Sequence, residues 1–489
     1  MVVYAYGEQW WKHVDELYET VRIGAGLGAT GRLGEDAIER GLETLSVFTH
    51  FCRASGLGAA DVHPVATSAI REASNGADFL DRAQAATGLE IEVLSARDEA
   101  YFGWVAAVNS STLTDGVVLD LGGGSLQLTR VADRQPLAMS SFPLGAVRLT
   151  EELVPGEGAA TKKQLQKVRA RVREALDGWQ PHGDRLLGLG GSVRNLAAAV
   201  QSSTVGHYDL GVQGFVIEAG ALGELVAQLA DLPVPERRAL GGIKPGRGDI
   251  ILAAAVVLET VLELTELPGI EVTEAGLREG VFFARTLLKD EPEPLFADVR
   301  AAAVRSLAIQ YETDLQHVEH VARLALQMFD SLVEQDLFEP RERERELLWA
   351  ASMLHDVGMA IAYDDHHKHS RYLIVSAELP GFDPRERALI AQISRYHRKG
   401  TPKLGELEPL GRPGDDELLE RCAVILRLAE HLERGRDQSV SSVRLRANGK
   451  GVDLHLEADG DSLVLPRWSV ERYGDGEAFE RVFGRRLVI

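Results

Sequence analysis

Apolar and polar residues alternate in two distinct ways along this chain. Over the first 290 residues, short apolar runs bounded by glycine or polar residues predict buried strands, and apolar residues spaced three or four apart predict helices. The predicted strands cover residues 62–66, 90–94, 117–121 and 186–189, and the predicted helices include residues 35–52, 162–176 and 250–264. Strands that alternate with helices in this way predict an α/β fold.

The pattern changes after an acidic, proline-containing segment at residues 289–294, which we interpret as an exposed linker. Beyond it the chain is mostly helical. Five apolar residues fall on one face of a predicted helix, namely Val318, Val321, Ala325, Met328 and Leu332. From about residue 439, short alternating runs at 443–446 and 452–456 flank Asn448-Gly449, which predicts a hairpin.

Candidate chemistry begins where the predicted strand 117–121 ends. Asp120 precedes Gly122, Gly123, Gly124 and Ser125, and a second glycine turn at residues 188–192 also follows a predicted strand. Glycine lets the backbone approach a ligand and present N–H groups to an anion, and a carboxylate can hold Mg²⁺. Both turns therefore suggest a phosphate-and-metal site, although such loops also serve only to reverse the chain.

Composition narrows the range of functions. The 489 residues carry a net charge of −21, which argues against general nucleic-acid binding. No apolar run reaches the roughly 18 residues of a membrane span, and the N-terminus lacks the pattern of a secretory signal. Cys52 and Cys422 are far apart in sequence and are interpreted as reduced thiols. We therefore expect a cytoplasmic protein that binds neither nucleic acid nor membrane.

Eight motifs in order resemble the exopolyphosphatase / guanosine pentaphosphate phosphohydrolase (Ppx/GppA) family. Besides the Asp120 loop they are VRIGAGL (21–27), ATSAIREASN (66–75), DEA (98–100), PLGAVR (143–148), GLGGSVRNL (188–196), PGRGD (245–249) and GLREG (276–280). The resemblance implies two ribonuclease-H-like lobes of the actin/hexokinase type, an all-α HD-type domain, and a homodimer. The expected domains are lobe I at 1–108, lobe II at 109–290, the HD-type domain at 295–436 and a small α+β extension at 437–489.

The same resemblance implies roles for individual residues. Glu99 matches the general base that activates the attacking water, and such a base must be ionised and within hydrogen-bond reach. Asp120 matches the acid that orients Mg²⁺, and Arg71 an arginine of the phosphate site. The phosphate-binding turns correspond to Gly122, Gly123, Gly124 and Ser125 in one lobe, and to Gly190, Gly191 and Ser192. For Arg247 and Asp249, a role in the site and a role in shaping the lobe both stay open.

Two departures from the family pattern stand out. Gln127 occupies a position where the family usually has a second acid, so metal affinity or substrate preference is expected to differ. The family's first phosphate loop is absent, and residues 1–6 correspond to the strand that follows it. Our hypothesis is that the natural chain begins upstream of Met1.

The helical region resembles the HD phosphohydrolase signature at His355-Asp356. His317 matches an earlier ligand, His369 and His397 match histidines of variants that hold two metals, and Glu430 or Glu433 replaces the last aspartate. Imidazoles and carboxylates together suit Mn, Fe or Zn, although this region can instead be structural or regulatory. Basic residues between Arg385 and Lys403 either guide a polyanion or form a solvated face.

The leading functional hypothesis is release of terminal phosphate from inorganic polyphosphate, with guanosine pentaphosphate as the alternative substrate. A second hypothesis is an HD metal phosphohydrolase acting on a nucleotide, with the front lobes as a sensor. A third is a non-catalytic regulator that binds polyphosphate or a nucleotide.

Overall fold

The computed structural model describes residues 1–204, 210–449, 451–458, 463–473 and 476–489. Its contacts divide the chain into two compact units, residues 1–5 with 12–299 and residues 6–11 with 300–489. Both predicted lobes thus share one unit, and the helical region and the C-terminal extension share the other. The predicted linker 289–294 is exposed and contains neither helix nor strand, but it is folded into turns rather than extended.

The N-terminal part of the first unit is built from helices and two small sheets. Its elements are β1 (Val2–Gly7), β2 (Trp10–Glu16), α1 (Leu27–Thr30), α2 (Glu35–Ala54), β3 (Val65–Ala66), α3 (Ser68–Glu72), α4 (Gly76–Thr87), β4 (Glu92–Val93) and α5 (Ala96–Val108). β1 pairs with β2, and β3 pairs with β4 in parallel. The strands predicted at 62–66 and 90–94 are thus real but shorter, because Pro64 offers a carbonyl and no N–H to the ladder.

The rest of the first unit surrounds one mixed sheet. Its elements are β5 (Gly116–Leu121), β6 (Leu126–Ala132), β7 (Gln135–Phe142), α6 (Ala146–Leu153), α7 (Lys162–Ala175), β8 (Leu186–Leu189), α8 (Gly191–Thr204), β9 (Val216–Glu218), α9 (Ala219–Asp231), α10 (Val234–Ala239), α11 (Ile251–Thr265), β10 (Gly269–Val272) and α12 (Leu277–Phe282). The strand order is β7-β6-β5-β8-β10-β9. β5 and β8 are central, and their apolar residues are buried, as the short apolar runs predict.

The second unit is helical apart from one three-stranded sheet. Its elements are α13 (Val299–Gln310), α14 (Leu315–Glu334), α15 (Glu344–Leu354), α16 (His366–Ser376), α17 (Pro384–Arg395), α18 (Asp415–Leu432), β11 (Val440–Asn448), β12 (Gly451–Ala458), α19 (Val464–Tyr473), α20 (Gly476–Phe483) and β13 (Arg486–Val488). β12 lies between β11 and β13. The five apolar residues predicted on one face of α14 are all buried, so that prediction is confirmed.

Local sequence explains where these helices begin. The Asp314 side chain accepts a hydrogen bond from the His317 backbone N–H and caps α14. At α17, Asp383 forms a capping box with Glu386, and Pro384 occupies the first turn. The starts of both helices, including the first turn of α14 that carries His317, are therefore fixed by short-range signals in the sequence.

Cys52 and Cys422 are buried free cysteines, as expected for thiols that fill a core. Among the described residues, no helix is both long enough and apolar enough to span a membrane.

A buried ion pair links α15 to α18. The Glu344 carboxylate accepts hydrogen bonds from Nε and Nη2 of Arg421 at 2.8 and 2.9 Å, and Glu344 is fully buried. Removing one partner of such a pair leaves the other charge buried without compensation.

We therefore expect Glu344→Gln to lower the free energy of unfolding of the second unit by about 3 kcal/mol. Urea unfolding followed by circular dichroism measures this loss. Glu342→Gln is the control, because Glu342 is almost fully exposed and lies 3.9 Å from its partner Arg343. Equal stability of the two variants would contradict the role assigned to the buried pair.

Candidate functional site

The two glycine turns lie at the same edge of the six-stranded sheet. β5 and β8 are parallel neighbours, and Asp120 is opposite Leu189. Because both strands end at this register, the turns at 122–125 and 190–192 leave the sheet side by side. The carboxyl ends of parallel strands are the usual position of a ligand site in α/β folds.

The second turn requires glycine at two positions. Gly190 has φ +99°, and a Cβ there would lie 2.8 Å from the Leu121 carbonyl oxygen and 3.1 Å from the Asp120 carboxylate. A Cβ on Gly191 would lie 2.2 Å from Nη2 of Arg247. The missing side chains thus allow this turn to approach both Asp120 and Arg247.

A cavity of about 280 Å³ opens over the two turns. The predicted site residues in its lining are Asp120, Gly122, Gly123, Gly190, Gly191 and Ser192. Arg247 also lines it, which favours a role in the site for this residue.

Arg22 is a residue of the cavity lining that sequence reasoning missed. Its guanidinium donates to Asp249 at 2.5 and 2.9 Å and to the Gly246 carbonyl oxygen at 2.9 Å. In the sequence, the only sign of a role for Arg22 is its position in the 21–27 motif. In the structure, the ion pair with Asp249 fixes the orientation of its guanidinium.

Glu99 and Arg71 form an ion pair outside the lining of that cavity. Glu99 lies in the first turn of α5, which Ser95 and Asp98 cap, and its carboxylate is 3.2 Å from Nη1 of Arg71. The same nitrogen donates to the Leu94 carbonyl oxygen at 2.6 Å. Burial raises the pKa of Glu99, and Arg71 opposes this rise. The pair therefore provides a partly shielded carboxylate with a fixed orientation.

Asp120 is partly buried at the end of β5. Burial, together with the nearby charge of Glu99, raises its pKa to about 6. A carboxylate whose proton affinity is raised by burial and by a neighbouring carboxylate belongs to a site that favours a cation. The structure thus brings Glu99 and Asp120 close enough to interact electrostatically, as the sequence predicts.

The remaining residues of the first turn are tied to their neighbours. The Gln127 amide donates to Ser125 Oγ at 2.8 Å and forms a hydrogen bond with Glu99. A Cβ on Gly124 would lie 2.5 Å from Ser68 Oγ. Gln127 thus stands where a second acid is expected and supports Glu99 as a neutral hydrogen-bonding partner.

A second polar cluster lies inside the helical unit. Each of two groups places its ligand-type atoms within 4.8 Å of one another: His317, His355 and Asp356 form the first, and Asp356, His366 and His397 the second. Glu430 joins the first group, 3.1 Å from His317 Nε2 and 3.2 Å from His355 Nε2. All these residues are buried, and Asp356 belongs to both groups.

Backbone carbonyl groups fix the orientation of three of these rings. Nδ1 of His355, His366 and His397 lies 2.6, 2.9 and 2.6 Å from the carbonyl oxygens of Ser352, Tyr363 and Ser394, respectively. A carbonyl oxygen only accepts, so Nδ1 carries the proton in each ring, and Nε2 of a neutral ring presents a lone pair to the cluster.

The two lone pairs of His366 and His397 face each other. Burial lowers the pKa of both imidazoles, to about 3 for His397, so both rings are neutral at pH 7. Their Nε2 atoms are only 3.1 Å apart, and His317 Nδ1 is buried without a hydrogen-bond partner among the described residues. A divalent cation satisfies such an arrangement, so the donor set fits Mn, Fe or Zn.

His355 differs from the other two rings. Burial alone lowers the pKa of an imidazolium, but Asp356 and Glu430 outweigh burial and raise the pKa of His355 to about 9. A cation bound at this position therefore displaces a proton.

One member of the predicted ligand set needs correction, and the alternative left open between two glutamates is resolved. His366, and not His369, lies in the cluster, with Nε2 3.3 Å from the Asp356 carboxylate. His369 lies near the same face of α16 but about 4.5 Å further along the helix axis. Glu430 contacts the histidines, whereas Glu433 lies 3.4 Å from His320. His317, His355, Asp356 and His397 lie together as predicted.

The predicted basic patch is only partly available to a polyanion. Arg385 is paired with Asp415, with Nε 2.8 Å from its carboxylate. Arg387 is buried and donates to the Ala377 carbonyl oxygen at 2.9 Å. Both arginines are therefore engaged within the helical unit, so neither guidance of a polyanion nor a solvated face describes them.

Comparison with known families agrees with this arrangement. A profile of the Ppx/GppA phosphatase family matches residues 2–289, and a profile of domain III of Ppx/GppA phosphatases matches residues 299–465. The chain belongs to the Ppx/GppA phosphatase family. As a member of this family it is a hydrolase of phosphoanhydride bonds, and enzymes of this family generally need a divalent metal.

Individual Ppx/GppA proteins are similar over different lengths. A guanosine-5'-triphosphate,3'-diphosphate pyrophosphatase of Vibrio vulnificus (strain YJ016) is 26% identical over 460 residues, 91% of this chain and 88% of that protein. The crystal structure of the Aquifex aeolicus Ppx/GppA family member is 26% identical, with TM-score 0.52 over 60% of this chain and 94% of that one. An exopolyphosphatase from Cytophaga hutchinsonii, 22% identical, has TM-score 0.54 over 60% and 95% of the two chains and supports the fold alone.

We expect Asp120→Asn to stabilise the metal-free protein at pH 8 while removing metal-dependent activity. The raised pKa means that the folded state holds the Asp120 proton more tightly than the unfolded state, so ionisation above about pH 6 costs stability. The gain should be about 1 to 3 kcal/mol, since the carboxylate is only partly shielded. Thermal unfolding in EDTA measures it. The difference should shrink as the pH falls from 6 to 4, and a less stable variant at pH 8 would contradict this account.

The corrected ligand set predicts different metal contents for two neighbouring variants. His366→Ala should lower the Mn²⁺ or Zn²⁺ bound per chain, because His366 Nε2 lies in the cluster. His369→Ala, one turn later on the same helix, is the control and should bind as much metal as the wild type. Elemental analysis after dialysis measures both. Loss of metal in His369→Ala alone would reverse the assignment.

Proposed function

We propose that the first unit releases the terminal phosphate of inorganic polyphosphate, with guanosine pentaphosphate as the alternative substrate. The observation that carries this proposal is the convergence of two glycine turns and Asp120 in one cavity of about 280 Å³. Backbone N–H groups of such turns bind phosphate oxygens without side-chain bulk. Arg22 and Arg247 in the same lining supply positive charge in a chain whose net charge is −21.

The same cavity supports binding of a divalent cation. Asp120 is the ligand that we propose for Mg²⁺. The nearby Glu99 carboxylate contributes to its raised pKa, which indicates a negatively charged site that a cation would stabilise. When bound, Mg²⁺ supplies charge that neutralises the phosphoryl oxygens. The Asp120 carboxylate must be ionised for this, so phosphate release should decline as the pH falls below about 6.

We assign the proton transfer to Glu99. Its carboxylate would accept a proton from the attacking water as the water oxygen bonds to the terminal phosphorus and the bridging P–O bond breaks, leaving the shortened chain as the other product. The hydrogen bond from Gln127 and the ion pair with Arg71 hold Glu99 in one orientation. Arg71 would also stabilise charge on the phosphoryl group.

The relative that covers most of the chain supports the alternative substrate. This similar Vibrio vulnificus protein is named for a guanosine nucleotide. Gln127 removes one negative charge from the site, which favours the more highly charged substrate. We therefore retain polyphosphate as the first candidate.

Phosphate release from long-chain polyphosphate and from guanosine pentaphosphate, each with Mg²⁺, tests this proposal. Glu99→Gln should reduce turnover by a factor of about 10² to 10⁴ without lowering the melting temperature. Glu90→Gln, an exposed acid on the preceding segment, is the matched control. Wild-type turnover in Glu99→Gln would refute the assignment of the base, and an inactive but folded wild type that binds either substrate would favour the regulator.

We propose a second candidate function for domain III, an HD-type metal phosphohydrolase. The observation that favours it is the pair of facing Nε2 lone pairs on His366 and His397, beside a carboxylate shared by two histidine groups. Comparing His355→Ala with Glu99→Gln separates the two candidates. Loss of polyphosphate turnover in Glu99→Gln alone supports the first unit as the working site, and loss in His355→Ala alone supports domain III.

A further inference from the structure

A cavity of about 240 Å³ opens beside the histidine cluster of domain III. Asp356, His366 and Glu430 line one part of it, and Arg398, Arg434 and Arg436 line another. Acidic and imidazole groups suited to a cation therefore share a cavity with guanidinium groups suited to an anion.

Two of these arginines have no acidic partner. Among the described residues, neither Arg398 nor Arg434 forms an ion pair or a hydrogen bond, although Arg398 lies over the ring of Tyr363 at 5.7 Å. Unpaired guanidinium groups in a strongly acidic chain indicate a place for an anionic ligand.

The third arginine is held in position by a strained loop. Arg436 has φ +53°, in the left-handed region that a non-glycine residue seldom adopts, and its N–H donates to the Glu433 carbonyl oxygen at 2.9 Å. The buried Glu433 carboxylate accepts from the Gln438 N–H at 3.1 Å and fixes the other side of the loop. The loop directs Nη2 of Arg436 to the Asp356 carboxylate at 2.6 Å. Backbone strain maintained by a buried side chain is typical of a functional position.

A larger cavity adjoins the first one. It has a volume of about 550 Å³, shares Asp356, Met359 and Arg436 with the smaller cavity, and is otherwise lined by residues 310–314 and Ala360. A volume of this size accommodates an organic group. The two cavities together therefore fit a ligand with a small anionic head and a larger organic part.

We propose that these cavities bind a phosphomonoester, with its phosphate between the histidine cluster and the three arginines. Guanidinium groups from separate positions match the tetrahedral phosphate better than the planar carboxylate, for which one arginine suffices. Nη1 of Arg436 lies 3.6 Å from the Asp314 carboxylate and would keep that contact, whereas Nη2 would turn from Asp356 to a phosphate oxygen once a cation engages Asp356. This inference rests on the metal centre proposed for domain III and names the class of its ligand.

Titration calorimetry on the full chain tests the proposal. The protein carries Asp120→Asn, so that the first unit lacks its proposed metal ligand. It is loaded with Mn²⁺, and the Mn²⁺ bound per chain is measured separately. The probes are inorganic phosphate and phenyl phosphate. The double variant Arg398→Ala/Arg434→Ala should weaken binding of both probes at least tenfold with unchanged Mn²⁺ content. The control is the double variant Lys399→Ala/Lys403→Ala, which removes the same two charges from exposed residues and should weaken binding less than twofold.

Each result bears on the proposal. Phenyl phosphate binding more tightly than inorganic phosphate supports an ester, whereas tighter binding of inorganic phosphate would overturn the organic part of the assignment. Unchanged affinity in the double variant, at unchanged Mn²⁺ content, would overturn the arginine site while leaving the metal centre intact. A protein that binds no Mn²⁺ in domain III would overturn the metal centre and this inference together. If the double variant unfolds, Arg398→Lys/Arg434→Lys replaces it. This variant keeps both charges, so its affinity for the probes should fall by less than the tenfold expected of the alanine variant.

Discussion

The parallel pairing of β5 with β8 is the constraint on which the first unit depends. Its hydrogen bonds set Asp120 opposite Leu189, and that register fixes where both glycine turns leave the sheet. A shift of one residue would move Asp120 to the other face of the sheet and separate it from the turns. Gly188 of β8 is also closely packed toward the other neighbouring strand, because a Cβ there would lie 2.6 Å from the Ile270 side chain of β10. The geometry of the two turns is therefore set by strand register before it is set by any side chain.

In domain III, the polar side chains are oriented by backbone carbonyl groups rather than by strand register. The backbone, rather than a second layer of side chains, fixes the rings of His355, His366 and His397, each through the carbonyl oxygen three residues earlier. This arrangement needs no particular residue at the supporting position. It does need each histidine to lie next to a helix end or turn, which is where these three lie.

Sequence patterns predicted the elements of the fold well but the contacts between distant residues poorly. The buried face of α14 and the strand at Leu186–Leu189 follow directly from local hydrophobic spacing. The choice of His366 over His369 does not, because it depends on where α16 begins and on which side faces Asp356. Arg22 and Asp249 are 227 positions apart, and no local pattern connects them. Arg387 looked like a surface charge, yet its guanidinium is buried against a carbonyl group.

The shared carboxylate of Asp356 has a thermodynamic consequence. A residue that belongs to two ligand groups cannot serve them independently, because an ion in one group would set the orientation of the carboxylate for the other and would compete with its contact to Arg436. If both groups hold an ion, the two affinities are therefore coupled, and by reciprocity each ion changes the affinity for the other by the same factor. A metal titration of domain III would then show two linked binding steps rather than two independent ones.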